Sequence, residues 1–225
     1  MNPITDEKLF FSLYFDTDAP RKEIQAPRDR GEFVMATDCH ILIKVDKSLL
    51  KEKYEEATKP NLYPIEPNRN VRLNLSQLER AILKYPLEEE EEEIAPAVPC
   101  PHCDGEGFVE WQFEDKNGYI HTSDDTCPVC NGTGNQRAAK IRKTGRKFPK
   151  YNLTMMVDGV PFNAYYIAVI AESMKQLGIS EIYHTRVCEG ANPNIFKIGE
   201  GIEVILMPVL PGDEIFASIN GKEEK

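Results

Sequence analysis

The chain has 225 residues, of which 41% are hydrophobic and 9% aromatic, and its net charge is −10. This length suits one ordinary domain with an insertion or two small domains, and the apolar content excludes a wholly disordered chain. The start of the sequence lacks the basic residues and long apolar stretch of a signal peptide, and the longest apolar run, at 164–171, is too short to cross a membrane. We therefore expect a soluble, cytoplasmic protein with no membrane partner.

Strand and helix patterns follow one another along the first part of the chain. Apolar stretches at 9–15 and 32–45 predict strands, and 38–40 predicts a turn within the second stretch. A short helix is predicted after Asn74, because asparagine favours helix N-termini. Its apolar residues fall on one face at the spacing i, i+3 and i+7: Leu75, Leu78 and Ile82.

The last third of the chain predicts a strand, a helix and three further strands. The helix is expected to begin after Asn163 and to end at Gly178, because asparagine caps helices and glycine terminates them. The strands are predicted at 153–162, 181–187, 194–198 and 202–210. The chain from Pro211 onward is expected to be mobile.

Four cysteines stand in two copies of C-x-x-C-x-G-x-G, at 100–107 and 127–134. Two residues between the cysteines allow both thiolates of a tight turn to face one point, and two such turns supply four sulfur ligands about 2.3 Å from a zinc ion. Disulfides are rare in the reducing cytoplasm, so the pattern favours a metal. We predict one structural Zn2+ ion, bound by Cys100, Cys103, Cys127 and Cys130.

Other uses of the cysteines compete with a structural zinc site. Two thioredoxin-like redox pairs would also use C-x-x-C, but the βαβ pattern expected around them is missing. Catalytic zinc needs an open coordination position, which four cysteine ligands do not leave. The repeats resemble half of the cysteine-rich region of DnaJ-type chaperones, which has four such repeats and binds two zinc ions. The J-domain His-Pro-Asp motif is absent from this sequence, so the resemblance does not imply a chaperone role.

The segment between the two cysteine pairs predicts a β-hairpin. Asn117-Gly118 is typical of a type I′ turn and lies between aromatic-rich strands. The aromatic residues Trp111, Phe113 and Tyr119 either stack on nucleic-acid bases or form a small core of the hairpin. We interpret 96–136 as an inserted module.

Charge is concentrated in two runs of opposite sign. Six consecutive glutamates at 88–93 are typical of a solvated linker, with a nucleic-acid mimic or a screen for a basic segment as the alternative. The run at 137–150 is a candidate for sequence-independent DNA binding through phosphates, and the competing interpretation is a solvated strand that balances the glutamates. Its basic residues are Arg137, Lys140, Arg142, Lys143, Arg146, Lys147 and Lys150.

Four fragments outside the module resemble bacterial DNA polymerase III β sliding clamps, in the order in which that family has them. EFVMATDCHIL at 32–42 resembles the clamp's strand-turn-strand motif, and GRKFPKY at 145–151 resembles the stretch that leaves its middle domain. VPFNAYYI at 160–167 resembles the start of its final helix, and EVILMPVL at 203–210 resembles its last strand. The resemblance implies an α+β, DNA-clamp-like sheet-and-helix domain that carries the zinc-binding β-hairpin module as an insertion.

The resemblance covers less than a whole clamp, because a clamp chain has three domains and this chain has room for little more than one. The usual dimeric ring is therefore not implied, and a ring of more subunits or no ring at all stays open. Phage or mobile-element origin would suit so reduced a clamp. The predicted parts are a first clamp-like segment at 1–95, the module at 96–136, a second clamp-like segment at 137–216 and a mobile tail at 217–225.

In sliding clamps, partner proteins insert a short apolar peptide into a pocket between the middle and final domains. Two departures bear on that pocket here, since Cys39 stands where the family has glycine and Ile41 stands where it has arginine. The matching residues therefore serve either core packing or peptide binding. Cys39 and His40 are adjacent on a predicted strand and point to opposite faces, which disfavours a catalytic pair. The pocket positions are Phe10, Thr37, Cys39, His40, Ile41, Leu42, Pro149, Ile205 and Met207.

Together these features predict a non-enzymatic, sliding-clamp-like accessory protein of DNA replication or repair, with self-association left open. It is expected to bind DNA non-specifically, a polymerase-type partner, or both. The alternative is a zinc-finger protein-interaction adaptor that binds a polypeptide and not DNA. A third hypothesis is a thiol-active protein, related to DnaJ-type redox function, that exchanges disulfides in its metal-free state.

Overall fold

The computed structural model describes residues 4–57, 67–187, 192–211 and 214–223. The chain divides into two compact units, which we call the sheet unit (1–88 and 148–225) and the cysteine unit (89–147). Three α-helices lie within the described ranges: α1 (Glu7–Phe11), α2 (Leu75–Ile82) and α3 (Ala164–Leu177). Short 3-10 helices occur at Lys22–Ile24 and Lys47–Leu49. The described residues contain both helices and mainly antiparallel strands, which confirms the mixed helix and strand content that the sequence predicts.

The strands of the sheet unit are β1 (Arg28–Asp29), β2 (Phe33–Thr37), β3 (Ile41–Asp46), β4 (Glu55–Glu56), β5 (Pro67–Asn74), β12 (Thr154–Val157), β13 (Val160–Asn163), β14 (Glu181–Val187), β15 (Asn194–Lys197), β16 (Ile202–Leu206), β17 (Ile215–Ile219) and β18 (Lys222–Glu223). The strands that lie within the cysteine unit or lead into and out of it are β6 (Leu87–Ala95), β7 (Val98–Pro99), β8 (Phe108–Glu114), β9 (Ile120–Thr126), β10 (Asn135–Arg137) and β11 (Lys140–Pro149).

Nine of the described strands form one sheet in the order β18-β5-β14-β15-β16-β3-β2-β1-β4. Its neighbours are antiparallel except β1 and β4, which are parallel. β16 lies beside β3, so residues about 160 positions apart in the chain are adjacent in the sheet. A smaller sheet has the order β13-β12-β17. This arrangement brings two of the clamp-like fragments side by side.

One hydrophobic core joins the helices to both sheets of this unit. The alternation of buried and half-buried residues along β3 and β16 places Ile41, Ile43 and Val204 on the core side. α2 packs against α3 and β17. Its predicted face is confirmed, because Leu78 and Ile82 are buried and Leu75 is partly buried against the core. Burial of such side chains stabilises the fold by roughly 1.5–3 kcal/mol each.

The predicted helix boundaries are confirmed by their capping contacts. Asn74 Oδ1 accepts a hydrogen bond from the Gln77 N–H at 2.9 Å, and the Gln77 side chain accepts one from the Asn74 N–H at 3.3 Å. Asn163 Oδ1 accepts from the Tyr165 N–H at 3.0 Å at the start of α3. α3 ends at Gly178, whose φ of 65° lies in the left-handed region that glycine adopts without strain. Local sequence therefore defines both helices.

The strand predicted at 9–15 is wrong, because the structure has helix α1 there. Asp6 Oδ1 accepts a hydrogen bond from the Leu9 N–H at 2.8 Å and so caps the helix. Phe10, Phe11 and Tyr14 are all buried, at a spacing that fits one side of a helical turn. An apolar run this short does not distinguish a helix from a strand by periodicity.

The stretch at 153–162 forms a hairpin and not the single predicted strand. β12 and β13 pair in antiparallel fashion, with Val157 opposite Val160. Asp158 and Gly159 connect them with φ of 50° and 76°, the backbone of a type I′ turn, which Asp-Gly favours. The strands predicted at 32–45, with the turn at 38–40, and at 181–187, 194–198 and 202–210 are present within a few residues of the expected bounds.

The structure also has strands where the sequence predicts a mobile tail. β17 pairs in parallel with β12, and β18 pairs with β5. Ala217 and Ile219 of β17 are buried, while Ser218 between them is exposed. Burial of these two side chains depends on a strand about 60 residues away, so the short local pattern did not predict it. Residues 224–225 lie outside the described ranges.

The cysteine unit consists of three two-stranded ribbons: β6 with β11, β7 with β10, and β8 with β9. The predicted module at 96–136 lies inside this unit, which extends further at both ends. The glutamates at 88–93 belong to strand β6 and not to a linker, because their backbone pairs with the basic strand β11. The hairpin of β8 and β9 has a three-residue loop closed by Gly118, whose φ is 83°. Asn117 does not share that positive φ, so the predicted type I′ turn is wrong.

Candidate functional site

The four predicted ligand cysteines lie together in the cysteine unit. Their sulfur atoms are all within 4.8 Å of one another, and Cys103 Sγ lies 3.7 Å from Cys130 Sγ. Four sulfurs around a zinc ion at about 2.3 Å would stand about 3.8 Å apart at tetrahedral corners. Cys100 and Cys127 are fully buried, and the other two are 8% exposed. The cluster can therefore bind one metal ion.

The two cysteine turns are related by an approximate twofold arrangement of hydrogen bonds. The Cys100 N–H donates to Gly134 O at 2.8 Å, and the Cys127 N–H donates to Gly107 O at the same distance. Asp104 and Asn131, which follow the second cysteine of each turn, have φ of 49° and 52°. Aspartate and asparagine tolerate this left-handed backbone better than most residues. The residue that follows each C-x-x-C is therefore part of the motif, although the sequence analysis assigned it no role.

The last glycine of each repeat is required by close contact between the two turns. A Cβ atom on Gly107 would lie 2.5 Å from Gly132 O, and one on Gly134 would lie 2.3 Å from Gly105 O. Both distances are too short for any side chain. Each turn therefore packs its backbone directly against the glycines of the other, which fixes the separation of the two cysteine pairs.

The surroundings of the thiols favour ligand chemistry over redox chemistry. Burial raises the pKa of Cys103, although the Gly107 N–H donates to its sulfur at 3.2 Å. Burial also opposes ionisation of Cys130, but the Gly134 N–H and the neighbouring thiols outweigh it and lower the pKa. A bound cation would deprotonate all four thiols together. Neither C-x-x-C turn leads into a helix, unlike a thioredoxin-type pair, since strands and turns make up 89–147.

The aromatic residues of the hairpin are exposed and do not form a core. Trp111 is 51% exposed, Phe113 60% and Tyr119 67%. Only Val109 of the hairpin packs against the cysteine cluster among the described contacts. The Asp115 side chain holds the loop, and its hydrogen bonds with His121, Tyr119 and Asn117 lower the pKa of the carboxyl group. The hairpin is therefore a ribbon with a hydrogen-bonded loop and with large apolar side chains exposed to water.

Five of the seven predicted DNA-binding residues lie on β11, which pairs with the glutamate strand β6, while Arg137 ends β10 and Lys150 directly follows β11. Four of the seven form ion pairs: Arg142 with Glu92 at 2.6 Å, Lys143 with Glu89 at 3.4 Å, Arg146 with Glu90 at 2.5 Å and Lys150 with Glu88 at 3.4 Å. Arg137, Lys140 and Lys147 have no ion pair within the described ranges. The six acids and seven bases nearly cancel in charge. Phosphate binding would therefore compete with pairs already made in the chain.

Three of the nine predicted pocket residues lie on one face of the large sheet, and two more stand just beyond the ends of its strands. Thr37 is opposite Leu42, and Leu42 is opposite Ile205, across three neighbouring strands. The next pair along brings Met207 beside His40, because the Met207 N–H donates to His40 O at 3.3 Å. Thr37, Leu42 and Ile205 therefore share a face of the sheet, which is opposite the core. We call Thr37, His40, Leu42, Ile205 and Met207 the strand-end patch.

The other predicted pocket residues take different places. Phe10, Ile41 and Pro149 are buried, so they contribute to packing and are not accessible on the surface. Cys39 is exposed in the turn with φ of 79°. This backbone favours glycine, which is the residue that the clamp motif has at this position. A cysteine there costs about 1–2 kcal/mol of strain.

A buried tyrosine, which the sequence interpretation did not include, fixes the turn beside the strand-end patch. Tyr166 at the start of α3 donates to Asp38 Oδ2 at 2.6 Å, and its ring stacks on His40 with centroids 6.2 Å apart. Burial raises the pKa of Tyr166, and the hydrogen bond to Asp38 raises it further, so Tyr166 stays a donor. Asp38 also accepts from the N–H groups of His40 and Ile41. Tyr166 lies in the clamp-like fragment at 160–167, so the family resemblance could have identified it as a candidate.

Comparisons with known proteins find low structural similarity between this chain and solved sliding clamps. No protein family model matches it, and no curated protein sequence matches it. The solved DNA polymerase III β subunit from Borrelia burgdorferi, in complex with a natural product, is 10% identical with a TM-score of 0.44 over 91% of this chain and 61% of that chain. The Bacillus subtilis sliding clamp is 13% identical with a TM-score of 0.40, over 91% of this chain and 62% of that one.

A third solved structure, the Pseudomonas aeruginosa DnaN sliding clamp bound to griselimycin, is 10% identical with a TM-score of 0.41 over 88% of this chain and 61% of that chain. The chain thus spans about three fifths of the length of these clamps. None of the helices in the described ranges is long and apolar enough to cross a membrane.

Proposed function

We propose that the protein is a non-enzymatic, sliding-clamp-like accessory factor of DNA replication or repair, which holds a polymerase-type partner by a short apolar peptide at the strand-end patch. One observation carries the proposal. Three fragments that resemble clamp motifs, from 32–42, 160–167 and 203–210, meet at this patch through the β3–β16 pairing and the Tyr166–Asp38 hydrogen bond.

The patch has the chemical character that binding of an apolar peptide requires. Leu42 and Ile205 are half-buried, and Met207 is 40% exposed. The flexible, polarizable side chain of Met207 adapts to the shape of a ligand. The His40 ring beside them is held by Tyr166 and offers a polar contact at the edge. A small apolar surface with a fixed polar group at its rim is typical of peptide sites.

Replacing Met207 by aspartate is expected to weaken peptide binding by about tenfold or more, because burial of a methionine side chain contributes roughly 1.5–3 kcal/mol. The measurement is fluorescence anisotropy of a labelled hexapeptide that contains leucine and phenylalanine, titrated with the full chain. Leu83→Asp is the matched control, since Leu83 is 71% exposed on the sheet unit and outside the patch. Equal affinity of both variants, or no saturable binding by the unchanged protein, contradicts the proposal.

We further propose that the cysteine cluster holds one structural zinc ion. Four thiolates are the usual shell for this role, and they complete the tetrahedron, so no position is left for water or substrate. When bound, zinc would supply folding free energy to the cysteine unit and no chemistry on a substrate. Its role in the accessory function is to keep the β6–β11 and β8–β9 ribbons ordered.

The third part of the proposal is weak, sequence-independent DNA binding by β11, limited by the glutamates of β6. Glu90→Gln with Glu92→Gln should raise the affinity for duplex and single-stranded DNA at low salt, because it frees Arg146 and Arg142. The slope of log affinity against log salt should steepen by about 0.9 for each cation freed on duplex DNA.

Glu91→Gln with Glu93→Gln is the matched control for this experiment, since it removes the same charge from the same strand at residues that make no ion pair within the described ranges. Equal gains from the two double variants would show that only net charge matters. No binding by any of these proteins at low salt, or no loss on neutralising Arg142, Lys143, Arg146 and Lys147, would exclude β11 as a DNA site.

A further inference from the structure

The hairpin of β8 and β9 has large apolar side chains on both faces and no partner within the described ranges. Trp111 and Phe113 lie on one face by strand alternation, while Phe108 and Ile120 lie on the other. Phe108 is 59% exposed and Ile120 69%, similar to the residues of the first face. An isolated two-stranded ribbon is marginally stable in water. Exposed apolar surface on such a ribbon indicates an interaction site.

The charge of the hairpin defines the kind of partner that it can bind. Residues 108–126 contain five acidic residues and one basic residue, a net charge of −4. Glu110 stands directly opposite Asp124, a like-charge pair that destabilises the ribbon by itself. The acidic side chains on both faces would repel DNA phosphates, and they would also repel a second copy of the hairpin. A cationic partner would relieve the repulsion between the two carboxylates.

The outer edges of β8 and β9 are available for a further strand, since each pairs only with the other in the described structure. An extended polypeptide can add to such an edge through main-chain hydrogen bonds, with alternate side chains reaching one face. Arginine or lysine side chains would then lie near Glu110 and Asp124, on the face that carries Phe108, where they could stack on its ring through a cation–π contact. The alternate, apolar side chains of the added strand would cover Trp111 and Phe113 on the other face.

We propose that this hairpin binds an extended, basic segment of a partner protein, rich in arginine or lysine, and does not bind nucleic acid. The proposal is independent of the strand-end patch, because it uses residues of the cysteine unit alone. It excludes base stacking by the hairpin aromatics. The partner segment adds to a free strand edge, neutralises the opposed carboxylates and covers an aromatic face.

Trp111 is the only tryptophan of the chain, so its fluorescence reports directly on this site. The full, metal-loaded protein is titrated at low salt with a decapeptide of alternating arginine and valine, with its glutamate–valine counterpart, and with a ten-nucleotide thymidine strand. We expect a saturable change in Trp111 emission with the basic peptide alone. Glu110→Gln with Asp124→Asn should weaken this binding by about tenfold, since two ion pairs are lost.

Glu91→Gln with Glu93→Gln on β6 is the matched control, with the same loss of charge in the same unit, and its affinity should stay within about twofold. The metal content of each variant is measured to establish that the unit is folded, and removal of the Glu110–Asp124 repulsion is not expected to unfold it. The proposal is overturned if no saturable change occurs. It is also overturned if the acidic peptide or the oligonucleotide binds as tightly, or if the two double variants lose affinity equally.

Discussion

Removal of the metal is expected to unfold the cysteine unit and to leave the sheet unit folded. The buried apolar side chains of residues 89–147 are the four cysteines themselves, with Val109 partly buried against them. Among the described residues, no other hydrophobic cluster lies within this unit. Metal binding contributes about 10–16 kcal/mol in small structural zinc sites. The sheet unit has its own extensive core, so its stability does not depend on the metal.

Native mass spectrometry should show one metal ion per chain, and limited proteolysis after chelation should cut within 89–147 while both segments of the sheet unit resist. Cys127→Ser should reproduce the metal-free pattern, because Cys127 is fully buried in the cluster. Cys39→Ser is the control, since Cys39 is exposed outside the cluster, and it should retain one metal. A chelated protein that resists cleavage throughout 89–147 would contradict the account.

Gly134→Ala is expected to weaken metal binding and to destabilise the cysteine unit by about 3 kcal/mol or more, through overpacking and left-handed strain together. Its Cβ would lie 2.3 Å from Gly105 O, a backbone atom that cannot move without separating the two cysteine turns. The measurement is the rate and extent of zinc transfer to a chromophoric chelator.

Gly145→Ala separates strain from close contact. Gly145 has a similar φ of 82°, but a Cβ there would meet no atom within 4 Å. It should cost only the strain of the left-handed backbone, about 1–2 kcal/mol, with little effect on the metal. If the two variants lose zinc equally, the direct packing of the two turns is not what positions the cysteines.

The parts of the fold that depend on local interactions could be predicted from the sequence. Asn74, Asn163 and Gly178 define helix ends by contacts within a few residues, and the C-x-x-C spacing defines the cysteine turns in the same way. A strand was predicted at 9–15 in place of helix α1, because Phe10 and Phe11 fit a helix or a strand equally well until the Asp6 cap is taken into account. The turn at Asp158-Gly159 is also local, because the Asp-Gly dipeptide favours the type I′ turn that the structure has there.

The parts that depend on distant pairing could not be predicted. The glutamates at 88–93 looked like a linker because their partners stand about 50 residues further along the chain. That pairing agrees with the alternative interpretation of the basic run, a strand that balances the glutamates. The residues of the strand-end patch were predicted, but their accessibility was not. Its residues were named through a family resemblance, but only the β3–β16 pairing separates accessible residues such as Met207 from core residues such as Ile41.

The most direct test of the proposed function is hydrogen–deuterium exchange of the full chain, with and without a saturating hexapeptide that contains leucine and phenylalanine. The account predicts slower exchange of backbone amides at 38–42 and 204–207, with no change in the cysteine unit. Slower exchange confined to other segments, or no change at either segment while the peptide is bound, would contradict a partner site at the strand-end patch.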